Sequence, residues 1–231
     1  MARVRYDVQG VLFDLDDTLL DHAAAAAAAV WRLVGSLPDW PDDQASTVTR
    51  WHELETEHFA RFASGEISMI EQRRARIRAF LGEAGDDVLD EHFGTYLRHY
   101  REGWRPIPGG PELVIRLLDE GYRVGILTNG QSVQQRAKLT AIGLTDPRLV
   151  VCVSEDLPAA KPSPQAYAAA CSALGLPPDQ VLMVGDSLIN DIDGARAAGL
   201  QAVQVSADSA DRDSDADDVV ERIAAVTDLQ L

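Results

Sequence analysis

The sequence is short of positive charge, of lysine above all, and of cysteine. Against 37 acidic residues stand 21 basic ones, a formal net charge of −16 with a pI near 4.6. That balance argues against broad binding to nucleic acid or to anionic membranes, which need a basic face. It leaves an anionic substrate open, because a bound cation reverses the local field. Only Lys138 and Lys161 are lysines; every other basic residue is arginine. The two cysteines, Cys152 and Cys171, form no CxxC and no disulfide framework, so a reduced, cytoplasmic setting is expected. No apolar run approaches the roughly 20 residues of a spanning helix, and the opening MARVRYDVQGVLFD holds no long apolar signal core. GxxxxGK[ST], GxGxxG, GxSxG and HExxH are all absent.

What is present suits a globular protein. The 231 residues are 46% hydrophobic and 25% charged, enough for one compact domain or a core with one inserted lobe. Five short apolar runs read as strands, at 8–14, 122–128, 148–153, 180–185 and 201–205. They show little alternation, as expected of parallel strands buried on both faces. Helical patterns separate the last four. Gly121, Gly143, Gly175 and Gly199 each close such a pattern and are each followed by Tyr or Leu. That is a left-handed glycine stop with an apolar contact back onto the helix. Pro111, Pro162 and Pro164 fall near helix starts. The alternation predicts an α/β fold, a three-layer, doubly wound parallel sheet.

Residues 15–121 separate the first two strands, far more than a crossover helix needs. Helical patterns at 22–36, 42–63, 66–82 and 86–103 predict an inserted α-helical lobe. The expected division is a core of 1–20 with 106–231 and a lobe of 21–105. Segment 207–218 carries six aspartates and one arginine and is expected to be a solvated loop, with a short helix near 217–227.

The residues able to do chemistry cluster after the strands. An open α/β sheet places its ligands at the carboxyl ends of its strands. Asp14, Asp16 and Asp17 follow the first strand; crowded carboxylates repel unless a cation or proton intervenes. A solvated acidic turn is the plainer alternative. The second strand ends in Thr128-Asn129-Gly130, either an anion cradle or a helix cap. Lys161 precedes Pro162 beyond the third strand; a compact ammonium suits a carboxylate–phosphate site better than a wide guanidinium fork. Lys138, on the helix after Thr128, is expected to be an ordinary surface cation. The fourth strand ends in Gly185-Asp186, with Asp191 five residues on; hard oxygen donors there suit magnesium, or simply a helix start. Asp17 and Asp193 fit the helix-start role better. His22, His52, His58, His92 and His99 show no ligand spacing and are expected at the surface. Unrelated caps would not be expected to line up these four sets in this order.

Read together, Asp14-Leu15-Asp16-Asp17-Thr18, Thr128-Asn129, Lys161-Pro162 and Gly185-Asp186 through Asp191 resemble the four signatures of the haloacid dehalogenase-like (HAD) hydrolase superfamily with a helical cap of the first type. The resemblance covers nearly the whole chain. It implies a Rossmann-like HAD core with a mobile cap. The TNG, KPSP and VGDS contexts resemble the phosphatase branch, with N-acylneuraminate-9-phosphatases and pyrimidine nucleotidases among its members. The implied activity is Mg²⁺-dependent hydrolysis of a small phosphorylated metabolite, with no nucleic-acid or membrane partner. In the implied roles, Asp14 is the nucleophile and Asp16 the general acid and base. Thr128, Asn129 and Lys161 bind phosphate. Asp14, the Asp16 carbonyl, Asp186 and Asp191 gather around the metal, Asp191 as a ligand through water or as a partner of Lys161. In the lobe, Arg73 and Arg76 are the candidates for gripping the substrate body. A haloacid dehalogenase would share the nucleophile but lack Asp16. A phosphomutase, a phospho-receiver and a silent binding module are further alternatives.

Overall fold

In a computed structural model the described residues are 6–205, 222–223, 226–229 and 231. The chain divides into two compact units, Met1–Asp21 with Arg105–Leu231, and His22–Trp104.

The first unit is built on six strands: β1 Gly10–Phe13, β2 Arg123–Thr128, β3 Val150–Val153, β4 Val181–Gly185, β5 Gln201–Val205 and β6 Arg222–Ile223. All pairings are parallel, in the order β3-β2-β1-β4-β5-β6. Alternate side chains leave opposite faces of a strand. Leu12, Leu127, Cys152 and Met183 form a buried cluster with Ala166, Tyr167, Ala170 and Cys171 of helix α7, Pro164–Leu174. Their strand neighbours Val11, Phe13 and Ile126 are equally buried, so both faces are covered and the runs are apolar throughout. The expected doubly wound α/β sheet is the observed one.

The glycine stops also form. Gly121, Gly143, Gly175 and Gly199 all have positive φ. At Gly175, φ 67°, the Leu176 N–H reaches back to the Cys171 carbonyl at 3.1 Å and closes α7. The terminal segment departs from expectation. Arg222–Ile223 is not helical but pairs in parallel with Gln204 and Val205 of β5. An edge strand gains a ladder of hydrogen bonds that a short helix there would lack. Residues 226–227 of the expected helix fall in a 3-10 turn, Val226–Asp228; its remaining residues, and the acidic loop 207–218, lie outside the described residues.

Register sets the site. Phe13 sits opposite Ile126 and Val184, so the next residue of each strand emerges at one edge. β1 is flanked by β2 and β4, and the chain continues outward in opposite directions from there, which is the topological switch point where such sheets bind ligands.

The second unit contains α1 His22–Val34, α2 Gln44–Ala63, α3 Met69–Leu81 and α4 Asp86–Glu102. Asp43 caps α2 by accepting from the Ser46 N–H at 2.8 Å, and Ser68 with Glu71 forms a capping box on α3. Its centre is Trp51, 1% exposed, with the rings of Phe80 and Tyr96 at 4.9 and 4.5 Å.

Candidate active site

Asp14 leaves β1 buried, its N–H donated to the Val184 carbonyl at 2.8 Å. Lys161 Nζ donates to Asp14 Oδ1 and to Asp191 Oδ1, both at 2.6 Å. The main chain of Lys161 is clamped by Asn129, whose amide donates to the Lys161 carbonyl and accepts from its N–H, each at 2.9 Å. Asn129, expected to cap or cradle, therefore also carries the lysine loop.

Asp191 sits in a π-helical turn, Leu188–Asp193, and its Oδ2 accepts from the Ser187 N–H at 3.0 Å. The turn folds its carboxyl against the backbone of Gly185, where an added Cβ would overlap it. That close approach explains why glycine precedes Asp186. Asp186 Oδ1 accepts from the Thr18 hydroxyl at 3.4 Å, and the Asp186 carbonyl accepts from Gln204 at 2.8 Å. Oxygens of Asp14, Asp186 and Asp191 lie within 4.8 Å of one another.

Burial raises the Asp14 pKa well above the usual carboxylate range; Lys161 opposes the rise, and Asp191, Asp186 and Asp16 add to it. Burial, then the nearby Asp191 and Asp17, push Asp186 up to about 6. Burial disfavours charge on Lys161 too, but Asp14 and Asp191 outweigh it and raise its pKa. Carboxylates held this close, with one ammonium between two of them, are short of positive charge. Their hard oxygens suit a divalent cation.

Two neighbours of this cluster escaped sequence reasoning. Helix α6, Ser132–Ala141, turns Gln135 and Lys138 inward, 1% and 2% exposed. Lys138 Nζ contacts both carboxylate oxygens of Asp16 at 2.7 Å. Gln135 Nε2 donates to Asp16 Oδ2 at 3.0 Å and to the Thr128 hydroxyl oxygen at 2.6 Å. Lys138 is therefore no surface cation. Its signal was its rarity: both lysines of the chain are buried here, each on an aspartate of the first motif.

The lobe candidates divide. Arg76 is 3% exposed, pairs with Glu55 at 2.7 Å and lies 3.8 Å above the Trp51 ring, so its charge is committed inside the helical unit. Arg73 is half-buried, 5.6 Å from the centre of the Phe93 ring, and burial with the nearby Arg101 lowers its pKa. His58 corrects the surface expectation for the histidines. It is buried, and burial lowers its pKa.

A parallel sheet whose switch point carries a buried aspartate, a lysine and two further carboxylates is an α/β fold with an acid-rich edge where such sheets bind ligands. The family is equally plain. Residues 8–199 match the haloacid dehalogenase-like hydrolase model, and the chain belongs to that hydrolase family. It is 34% identical over 207 residues to the phosphoglycolate phosphatase of Caulobacter vibrioides, covering 87% of this chain and 81% of that protein. It is 28% identical over 198 residues to the glyceraldehyde 3-phosphate phosphatase of Pyrococcus furiosus, covering 85% and 80%. Among solved structures, the HAD-hydrolase YfnB from Bacillus subtilis, bound to magnesium, matches with a TM-score of 0.76, 26% identity and 97% of both chains covered. A dehalogenase structure with a TM-score of 0.74 and 23% identity, covering 96% and 95%, shares the fold. Among the described residues no helix is long and apolar enough to cross a membrane.

Proposed function

We propose that the chain is a phosphomonoesterase that uses Mg²⁺ and hydrolyses a small phosphorylated metabolite through an aspartyl-phosphate on Asp14. The observation that carries the reading is the meeting of the Asp14, Asp186 and Asp191 carboxylates, two of them on one buried ammonium, with a further acid, Asp16, two residues from Asp14. The names of the relatives, phosphoglycolate and glyceraldehyde 3-phosphate phosphatases, support a small phosphorylated substrate.

Asp14, Asp186, Asp191 and the Asp16 carbonyl would hold the cation, which would neutralise charge on the phosphoryl oxygens. An Asp14 oxygen attacks phosphorus in line, and the bond to the alcohol oxygen breaks as Asp16 gives that oxygen a proton. Asp16 then takes a proton from water. The water oxygen attacks phosphorus, the bond to Asp14 breaks, and phosphate leaves. Thr128 accepts its hydrogen bond from Gln135, so its hydroxyl keeps a hydrogen to donate to a phosphoryl oxygen. The Asn129 N–H donates beside it, and Lys161 offsets the charge of Asp14 and phosphate. Positioning and neutralisation are what phosphoryl transfer asks of a protein.

The helical segment 21–105 is inserted directly after the Asp14–Asp16 turn and acts in this reading as a cap that sets substrate choice, with Arg73 its candidate contact. The dehalogenase reading shares the nucleophile, but Asp16 counts against it. The test is phosphate release from a panel of small phosphomonoesters with Mg²⁺ and with EDTA. Activity lost in EDTA and restored by Mg²⁺ is expected. Full turnover without metal would overturn the reading, and halide release from a haloacid would favour the dehalogenase.

A further inference from the structure

The network around Asp16 is not needed to explain the fold of α6. A helix lying on a sheet buries apolar residues; this one buries Leu139 and, beside it, an amide and an ammonium three positions apart, on one face. Both point at a residue 119 and 122 positions away in sequence. Lys138 contacts both Asp16 oxygens at 2.7 Å, and Gln135 ties Oδ2 to Thr128 Oγ1 and to the Asn129 carbonyl, the last at 3.3 Å. Three donor contacts converge on one carboxylate.

We propose that Lys138 and Gln135 are positioning residues that hold Asp16 as a hydrogen-bond acceptor, and that this hold serves hydrolysis of the phosphoenzyme rather than its formation. The proposal rests on the role given to Asp16 under the proposed function. The two half-reactions ask opposite things of Asp16. Toward the leaving alcohol it must donate, which requires turning an oxygen away from Lys138. Toward the attacking water it must accept, and the observed arrangement, an acceptor fixed by charge-assisted bonds, is the one required. The Gln135 bridge fixes Asp16 relative to the Thr128 hydroxyl. Loss of the hold therefore falls on the second step.

The experiment is rapid-quench kinetics of the full chain with Mg²⁺ and an alkyl phosphate hydrolysed in the substrate panel, whose leaving oxygen needs a proton, reading the burst of released alcohol and acid-trapped phosphoenzyme. In Lys138→Met, steady-state turnover should fall about tenfold or more. The phosphorylation rate should stay within about threefold of wild type, so phosphoenzyme accumulates toward one per chain. Lys138→Arg, which keeps two donors for the carboxylate, should recover part of the loss. Gln135→Met should show the same split more weakly, and it supplies the deciding measurement should Lys138→Met fail to fold. Equal losses in both steps, or none, would overturn the proposal and leave Lys138 a structural ion pair. Phosphate release by the wild type with no phosphoenzyme at all would overturn this proposal and the proposed function together.

Discussion

The two units bury charge in opposite ways. In the helical unit Arg76 meets Glu55 at 2.7 Å, His22 lies 3.5 Å from the same carboxylate, and the guanidinium stacks on Trp51. Burial would raise the Glu55 pKa, but Arg76 and His22 more than reverse it and hold it well below the usual range. At the sheet edge one ammonium serves Asp14 and Asp191, Asp186 lies close by, and burial pushes Asp186 up to about 6. Matched buried charge neutralises itself; unmatched charge calls for a further cation, in the proposed reading Mg²⁺. A desolvated ion is stable only when its partner is present. The lobe supplies the partner from its own chain, whereas in the proposed reading the sheet edge leaves part of the neutralisation to a cation.

Breaking the unmatched side should have the largest effect. Asp14→Asn removes the nucleophile, so turnover should fall by ~10³-fold or more and no acid-stable phosphoenzyme should be trapped. Folding should be undisturbed, since a buried, charge-crowded carboxylate is replaced by a neutral amide. A turnover close to wild type would remove Asp14 from the chemistry.

On the matched side the effect moves from activity to stability. Glu55→Gln leaves Arg76 buried beside a neutral partner, a change expected to lower stability by about 3 kcal/mol. Calorimetry should show it, with hydrogen exchange faster in α2 and α3. An unchanged melting temperature would mean that the aromatic stack alone carries Arg76.

Gly185→Ala tests how tightly the edge is built. The new Cβ would overlap the Asp191 carboxyl and push it off Lys161. A displacement of about 1 Å in a catalytic group can cost ~10²-fold in rate. Activity retained within about threefold would show that Asp191 needs no fixed position.

The smallest effect separates the units by pH. The folded Asp186 pKa lies near 6, above its unfolded value, so without metal its charge destabilises the fold above about pH 6 and that penalty disappears as pH falls toward 4. Glu55 runs the other way: its folded pKa is depressed, so its contribution is present above the unfolded value near 4 and is lost on acidification. Metal-free Asp186→Asn should therefore melt a few degrees above wild type at pH 7.5, with the gap closing near pH 4. A gap that does not change with pH would contradict the shifted Asp186.

By itself the sequence determined the strand ends and what they carry. Buried parallel strands are apolar runs, their carboxyl ends share one edge, and the glycine stops fall where each helix must turn back. Asp14, Thr128, Lys161 and Asp186 were therefore legible as one edge from the chain alone. Which helix faces turn inward was decided only by tertiary structure. Nothing local marked Gln135 and Lys138 as buried, because polarity carries no mark of a partner 119 or 122 residues away. His58 was expected at the surface for the same reason, and Arg76, expected to grip substrate, is committed to Glu55 instead: local pattern records polarity, while burial depends on what the rest of the chain brings alongside. The strand at Arg222–Ile223 likewise exists only because β5 offers it an edge. Periodicity is local, so it is written in the sequence; pairing of buried charge is long-range, so only the fold can decide it.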